Sequence, residues 1–266
     1  VILKLILLAL AFAGSFSLCA AAIEIVAHRG ASHDAPENTV GALKLGFTQG
    51  ADAGECDIHL TSDGELMVMH DASALRTTGA SNLMARTASS ELRKLEAGQW
   101  GKWKGSGYCE RIPFLREVLA VTPEGKRLFI EIKCGAEALP ALDGILALSG
   151  KKPDQIVIIC FDYEVIKAAK RRMPQHPALW LVSQDAKTKA FAPVETLIAR
   201  CKDAGLDGLD LNSGFPTNRE FVSKVHEAGL TLHTWTVDDP VVARRHAEAR
   251  VDGITTNRPE WLRARL

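Results

Sequence analysis

From Ile23 onward, short β-type runs alternate with stretches of helical periodicity, and that alternation restricts the chain to a parallel sheet assembled from βα units. Eight runs fit the pattern: Ile23 to His28, Gly54 to His59, Arg127 to Ile132, Gln155 to Cys160, Ala178 to Val182, Gly208 to Leu211, Thr231 to Val237 and Gly253 to Thr256. Helical periodicity occupies Val40 to Gly50, Glu91 to Glu96, Leu115 to Val121, Glu137 to Leu148, Tyr163 to Met173, Thr196 to Ala204, Glu220 to Ala228 and Val241 to Ala249, with Gly50, Gly205 and Gly229 as helix stops. Eight such units in 266 residues predict an α/β fold, a (β/α)8 TIM-type barrel on one hydrophobic core. A ninth run, Glu65 to His70, follows Thr61-Ser62-Asp63-Gly64, and an Asp-Gly pair between β-type runs marks a hairpin. It is expected to be an extra β-hairpin arm outside the ring. The stretch from Asp71 to Lys126 is too long for a simple connection, and its Trp100, Trp103, Gly105, Gly107 and Tyr108 suggest an ordered insertion, either a lid or a packing flap.

Residues 1–22 stand apart from that domain. Lys4 precedes an apolar run from Leu5 to Phe16, and Ala20, Ala21 and Ala22 supply small residues, the pattern of a secretory signal peptide ending in an Ala-x-Ala site. The domain over residues 23–266 is then exported, periplasmic or secreted, and not inserted in a membrane once the leader is removed. An uncleaved anchor is the alternative, since Leu5 to Ala22 is just long enough to span a bilayer core. Lipidation at Cys19 is disfavoured by the bulky Leu18 before it, and Val1 in place of Met suggests a non-standard start or a trimmed chain. Beyond the leader, Cys56, Cys109, Cys134, Cys160 and Cys201 are odd in number and lack Cys-x-x-Cys spacing, so neither zinc nor an essential disulfide is expected. Lys plus Arg and Asp plus Glu both total 32, which removes the broad basic footprint of a nucleic-acid binder. An anionic small molecule must therefore be met by a local site; no protein partner is indicated.

The second β-type run supplies that site. Side chains alternate along a strand, so Glu55, Asp57 and His59 share one face. Two carboxylates at 4 Å repel by roughly 4 kcal/mol at an effective dielectric near 20, and something must offset that. Glu131 and Lys133 repeat the spacing on the next barrel strand, bringing a third carboxylate to the same mouth. Oxygen-only ligation by Glu55, Asp57 and Glu131 suits a hard divalent cation, Mg2+ or Ca2+. The alternative is an ion-pair network in which Lys133, Arg29 and Lys44 balance the acids without metal. His28 and Arg29 end the first run, and Gly30 permits a tight turn and close approach by a ligand. His70 ends the hairpin arm, next to Asp71. Two histidines can divide the proton removal and proton delivery that in-line cleavage of a phosphodiester needs, and a guanidinium can grip two phosphate oxygens. Glu37 reads as an anchor for Arg29 in preference to a member of the metal shell, Asn38-Thr39 as a helix cap, and His59 as a bystander in preference to a partner of the metal carboxylates. Trp235 and Phe161 suit either core packing or an apolar wall of the site.

Taken in order, His28-Arg29-Gly30, Pro36-Glu37-Asn38-Thr39, Gly54-Glu55-Cys56-Asp57, Thr61-x-Asp63-Gly64 and His70-Asp71 resemble the glycerophosphodiester phosphodiesterase family. Glu131-Ile132-Lys133, Trp235-Thr236-Val237 and Asp252-Gly253-Ile254-Thr255-Thr256-Asn257-x-Pro259 extend the resemblance across the domain. It implies a barrel with metal at Glu55, Asp57 and Glu131, acid/base work at His28 and His70, and phosphate contact by Arg29 and Lys133. The substrate class implied is a small-molecule glycerophosphodiester, cleaved to glycerol phosphate and an alcohol. Rival readings are a lysophospholipase D or sphingomyelinase D-like enzyme with an apolar trough at Trp100, Trp103 and Tyr108, a phosphatidylinositol-type phospholipase C barrel, and a non-catalytic barrel that binds polyol phosphates. Two departures stand out: His59, where the family more often has a neutral residue, and Asn257, where Asp is common.

Overall fold

The computed structural model describes residues 23–266, so the leader expected over residues 1–22 lies outside the described residues. Nine strands form one sheet: β1 (Glu24–Ala27), β2 (Ala53–Leu60), β3 (Leu66–Val68), β4 (Arg127–Ile132), β5 (Ile156–Cys160), β6 (Ala178–Val182), β7 (Gly208–Asn212), β8 (Thr231–Trp235) and β9 (Gly253–Thr256). The order β1-β9-β8-β7-β6-β5-β4-β2 is parallel throughout, and Val26 and Ala27 of β1 pair with Ala53 and Gly54 of β2 to close the ring. β3 lies outside, antiparallel to β2 with Met67 opposite His59, as the Asp-Gly turn predicts.

Closure leaves each stave with an inward and an outward face. Val26, Ala53, Phe129, Val157, Ile159, Leu179 and Leu181 pack inside the barrel, while the outward residues join the helices in a larger core. The connecting helices start where short polar side chains take up free backbone N–H groups: Thr39 caps Val40–Thr48, Asp162 caps Tyr163–Arg172, and Asn218 caps Arg219–Glu227. The helix expected over Glu91 to Glu96 is a single turn, Ser89–Leu92, and Pro259–Arg263 forms a short closing helix that its length hid from periodicity. Among the described residues no helix is long and apolar enough to cross a membrane.

The segment after β3 is ordered by a small core of its own, in which Met67, Met69, Ala74, Met84, Leu92, Ala97 and Ile112 cluster. Its aromatic tip folds onto itself and onto the loop after β1: Trp103 and Tyr108 meet edge to face at 5.5 Å, and the Tyr108 hydroxyl donates to the Asp34 carbonyl at 2.9 Å.

Candidate active site

The expected site residues converge at the C-terminal ends of the strands. His28, Arg29, Glu55, His70, Glu131, Lys133 and Trp235 line one cavity of about 140 Å³, together with Ile159, Phe161, Leu181, Asp210, Thr236 and Thr255. This is the end at which barrels carry their chemistry, because the loops there vary without disturbing the staves.

Strand alternation and register build the acid cluster. Glu55 and Asp57 face inward from β2, and Asp57 lies in register with Glu131 on β4. One carboxylate oxygen from each lies within 4.8 Å of the others, and all three residues are at most 9% exposed. Arg29 and Lys133 offset part of the charge: Arg29 Nε is 3.3 Å from Asp57 Oδ2, and Lys133 Nζ is 2.7 Å from Glu131 Oε1 and 3.6 Å from Asp57 Oδ1. Lys44 takes no part, because it sits on the exposed face of the Val40–Thr48 helix. Asn38, with its backbone in the left-handed region at φ 58, donates from Nδ2 to Asp57 Oδ2 at 2.8 Å and accepts from the Asp57 N–H at 3.2 Å.

The balance remains incomplete. Glu55 Oε1 and Asp57 Oδ1 are buried with no hydrogen-bond partner. Burial, followed by the charges of Asp57 and Glu131, holds the Glu55 carboxyl well above the usual range. The same two effects, burial and Asp57, push Glu131 up to about 7. Burial also opposes ionisation of Asp57, but Arg29 and Lys133 outweigh it and leave this carboxyl below its ordinary value. Two orphaned carboxylate oxygens among three oxygen-donor ligands are what a hard divalent cation would satisfy, so the donor set fits one.

The histidines are oriented by partners that differ in kind. His28 Nδ1 donates to Asn257 Oδ1 at 2.7 Å. The Asn257 amide is fixed in turn by Asp238, which accepts from its side-chain Nδ2 and from its backbone N–H. That pins the amide oxygen toward His28 and leaves the ring's Nε2 as the nitrogen with a free lone pair. Burial, then the Arg29 charge, lowers the His28 pKa to about 4, so the ring is neutral near pH 7. His70 Nδ1 instead faces a carboxylate, Asp71 Oδ1, at 2.7 Å. Arg76 grips Asp71 through Nε at 2.7 Å and holds its carboxyl down at about 2.

Glu37 anchors Arg29 as expected, at 2.8 Å, and also accepts two bonds from Arg76, at 2.7 and 3.0 Å. His59 makes no hydrogen bond to the acid cluster; its Nε2 donates to the His70 carbonyl at 3.2 Å and so ties the loop that bears His70 to β2. Gly30 lets the turn pack against the helix, since a Cβ there would lie 2.4 Å from the Ala42 carbonyl carbon, at a φ of +81. Trp235 is an apolar wall with its indole N–H donated to the Asp210 carbonyl at 3.1 Å, and Phe161 meets it edge to face at 5.3 Å. Trp100, Trp103 and Tyr108 do not line the cavity. Arg76, Asp238 and Asp210 were missing from the expected set, and Asn257 stood only as a departure.

A barrel mouth that gathers fixed positive charge, a buried acid cluster and two differently poised imidazoles is equipped for a phosphoryl group, and with this fold it defines a phosphoric diester hydrolase. The sequence places it more narrowly: the chain belongs to the glycerophosphoryl diester phosphodiesterase family, whose model matches residues 28–261. It is 33% identical over 242 residues to the glycerophosphodiester phosphodiesterase of Caldanaerobacter subterraneus subsp. tengcongensis, covering 90% of this chain and 95% of that one. Against a Bacillus subtilis glycerophosphodiester phosphodiesterase the identity is 30%, covering 88% and 83%. Among solved structures, an Oleispira antarctica phosphodiesterase in complex with the product sn-glycerol-3-phosphate superimposes with a TM-score of 0.80 at 27% identity, covering 91% of this chain and 96% of that one.

Proposed function

We infer that this protein hydrolyses glycerophosphodiesters to glycerol phosphate and an alcohol, with proton transfer divided between His28 and His70. The observation that carries the mechanism is the contrast between the two rings. His28 is buried, neutral near pH 7 and bonded through Nδ1 to an amide oxygen, which leaves Nε2 free to take a proton. His70 is backed at Nδ1 by the Asp71 carboxylate, an arrangement that supports the charge of an imidazolium.

Arg29 and Lys133 face the cavity and bind the phosphoryl oxygens, offsetting charge that builds up as phosphorus is attacked. Glu55, Asp57 and Glu131 would hold a divalent cation, Mg2+ or Ca2+, which when bound would supply Lewis acidity to the phosphoryl group. The glycerol hydroxyl next to the phosphate loses its proton to His28 and attacks phosphorus. The bond from phosphorus to the leaving alcohol breaks, and His70 gives that oxygen its proton. Water then opens the cyclic phosphate with the roles of the two histidines reversed. Trp235 forms the apolar wall beside the glycerol carbons. The trough that a lysophospholipase D would need at Trp100, Trp103 and Tyr108 has no counterpart among the cavity-lining residues.

The test is product identity. Glycerophosphocholine and glycerophosphoethanolamine should yield glycerol phosphate with free choline or ethanolamine, at rates well above those for the monoacylated lipids. Faster release from monoacylated substrates would reassign the enzyme to the lysophospholipase D reading. The signal peptide makes a separate expectation: expressed with its leader, the exported protein should begin near Ile23 by mass spectrometry, whereas an intact Leu5 to Phe16 segment in membrane fractions would indicate an anchor.

A further inference from the structure

One polar group in the catalytic cavity has no part in the chemistry described so far. Asp210 lies on β7, in register with Leu181 on β6 and His233 on β8. In the ring order β7 stands four strands from β2, directly across the barrel from the strand that bears Glu55 and Asp57. Asp210 is 1% exposed, yet it lines the cavity, and its Oδ1 has no hydrogen-bond partner. Its nearest charged neighbours do not supply one. His233 on the adjacent strand commits Nε2 to Glu24 at 3.0 Å, its Nδ1 is likewise without a partner, and Glu24 is further engaged by Arg127.

The surroundings of Asp210 specify what it can receive. Ile159, Leu181 and Trp235 give the cavity an apolar wall beside it, and Trp235 is tied to the Asp210 carbonyl, so wall and carboxyl hold a fixed geometry. An unpartnered carboxyl in such a wall costs stability, which a ligand that hydrogen-bonds to it recovers. Phe161, 41% exposed, marks the open side of the cavity by which an alcohol can depart. Burial pushes the Asp210 carboxyl up to about 7, so both protonated and ionised forms exist near neutrality. A hydroxyl pairs with either form, as acceptor or as donor.

We propose that Asp210 is the residue that recognises the polyol end of the substrate: its carboxyl bonds the terminal hydroxyl of the glycerol unit, and the enzyme thereby selects glycerol over shorter or deoxygenated alcohols. The assignment rests on the glycerophosphodiesterase reading above. Its test compares two choline diesters, glycerophosphocholine and the analogue whose terminal hydroxyl is replaced by hydrogen, which keeps the hydroxyl next to the phosphate. Loss of that hydroxyl should lower the wild-type kcat/KM by about 10- to 100-fold, the range for one bond to a buried charged or polar group. Asp210→Leu should lower kcat/KM for glycerophosphocholine by a similar factor and should no longer distinguish the two substrates. Asp210→Asn, which keeps an acceptor and a donor, should retain part of the discrimination, and it carries the comparison if the leucine variant fails to fold. Equal loss on both substrates, or wild-type discrimination retained in the variants, would show that Asp210 acts only on the barrel and overturn the assignment. A wild-type protein that turns over neither diester would instead overturn the phosphodiesterase reading itself.

Discussion

Alanine in place of His28 or His70 is expected to lower the chemical step by about 10²- to 10⁴-fold, the usual range for loss of a general acid or base, with little change in substrate affinity. The double variant should fall far short of the product of the two losses, because each imidazole is useful only while the other is present. The partners of the two rings sharpen the expectation. His28 is held neutral with Nε2 free, and His70 is backed by Asp71, so on the proposed mechanism His28 is expected to remove the proton of the attacking hydroxyl and His70 to protonate the departing oxygen. A nitrophenyl diester that retains the glycerol hydroxyl needs little protonation on departure. It should rescue His70→Ala and leave His28→Ala impaired. Rescue of His28→Ala alone would exchange the two roles, and equal rescue would show that the residues do not divide the work.

Chelation is expected to abolish activity, and Mg2+ or Ca2+ to restore it. Full turnover by metal-free protein would remove the cation from the mechanism. A second readout is independent of turnover. A cation that binds only the folded protein stabilises it by about 2.7 kcal/mol at a hundredfold excess over Kd, so the melting temperature should rise on titration. Glu55→Gln should blunt that rise, since it removes one of three oxygen ligands. In metal-free protein the same substitution should leave the melting temperature unchanged or raise it, because it replaces a carboxyl whose ionised form burial and the charges of Asp57 and Glu131 already disfavour. A large loss of stability with unchanged cation response would favour the ion-pair network weighed from the sequence.

What could be read from the sequence was what strand and helix periods encode. The alternation of Glu55, Asp57 and His59, and of Glu131 and Lys133, placed acids and base on inward faces because side-chain direction in a strand depends only on parity. The ring order followed from eight similar units, and the β3 arm from an Asp-Gly turn. Residues that act through contacts between distant segments left no such signal. Asp238 fixes Asn257, which fixes His28, across most of the chain length, and nothing in the spacing of these three residues announces it. Arg76 lies in a one-turn helix after the arm, where periodicity has no purchase, yet it binds both Glu37 and Asp71. Asp210 was hidden for the opposite reason: it falls inside an apolar run whose other residues are core, so its pattern is that of any stave. The tie between His59 and the loop that bears His70 left no sequence signal either, because its partner is a backbone carbonyl, which carries no residue identity.

The carboxylate of Glu37 accepts from Arg29, beside His28, and from Arg76, which holds Asp71 behind His70. One side chain in the loop after β1 therefore gauges the separation between the two histidines, although it touches neither. Sequence drift in that loop and in the segment after β3 is then not independent. A length change on either side would shift both rings together, so the two loops are free to diverge between relatives only as a matched pair.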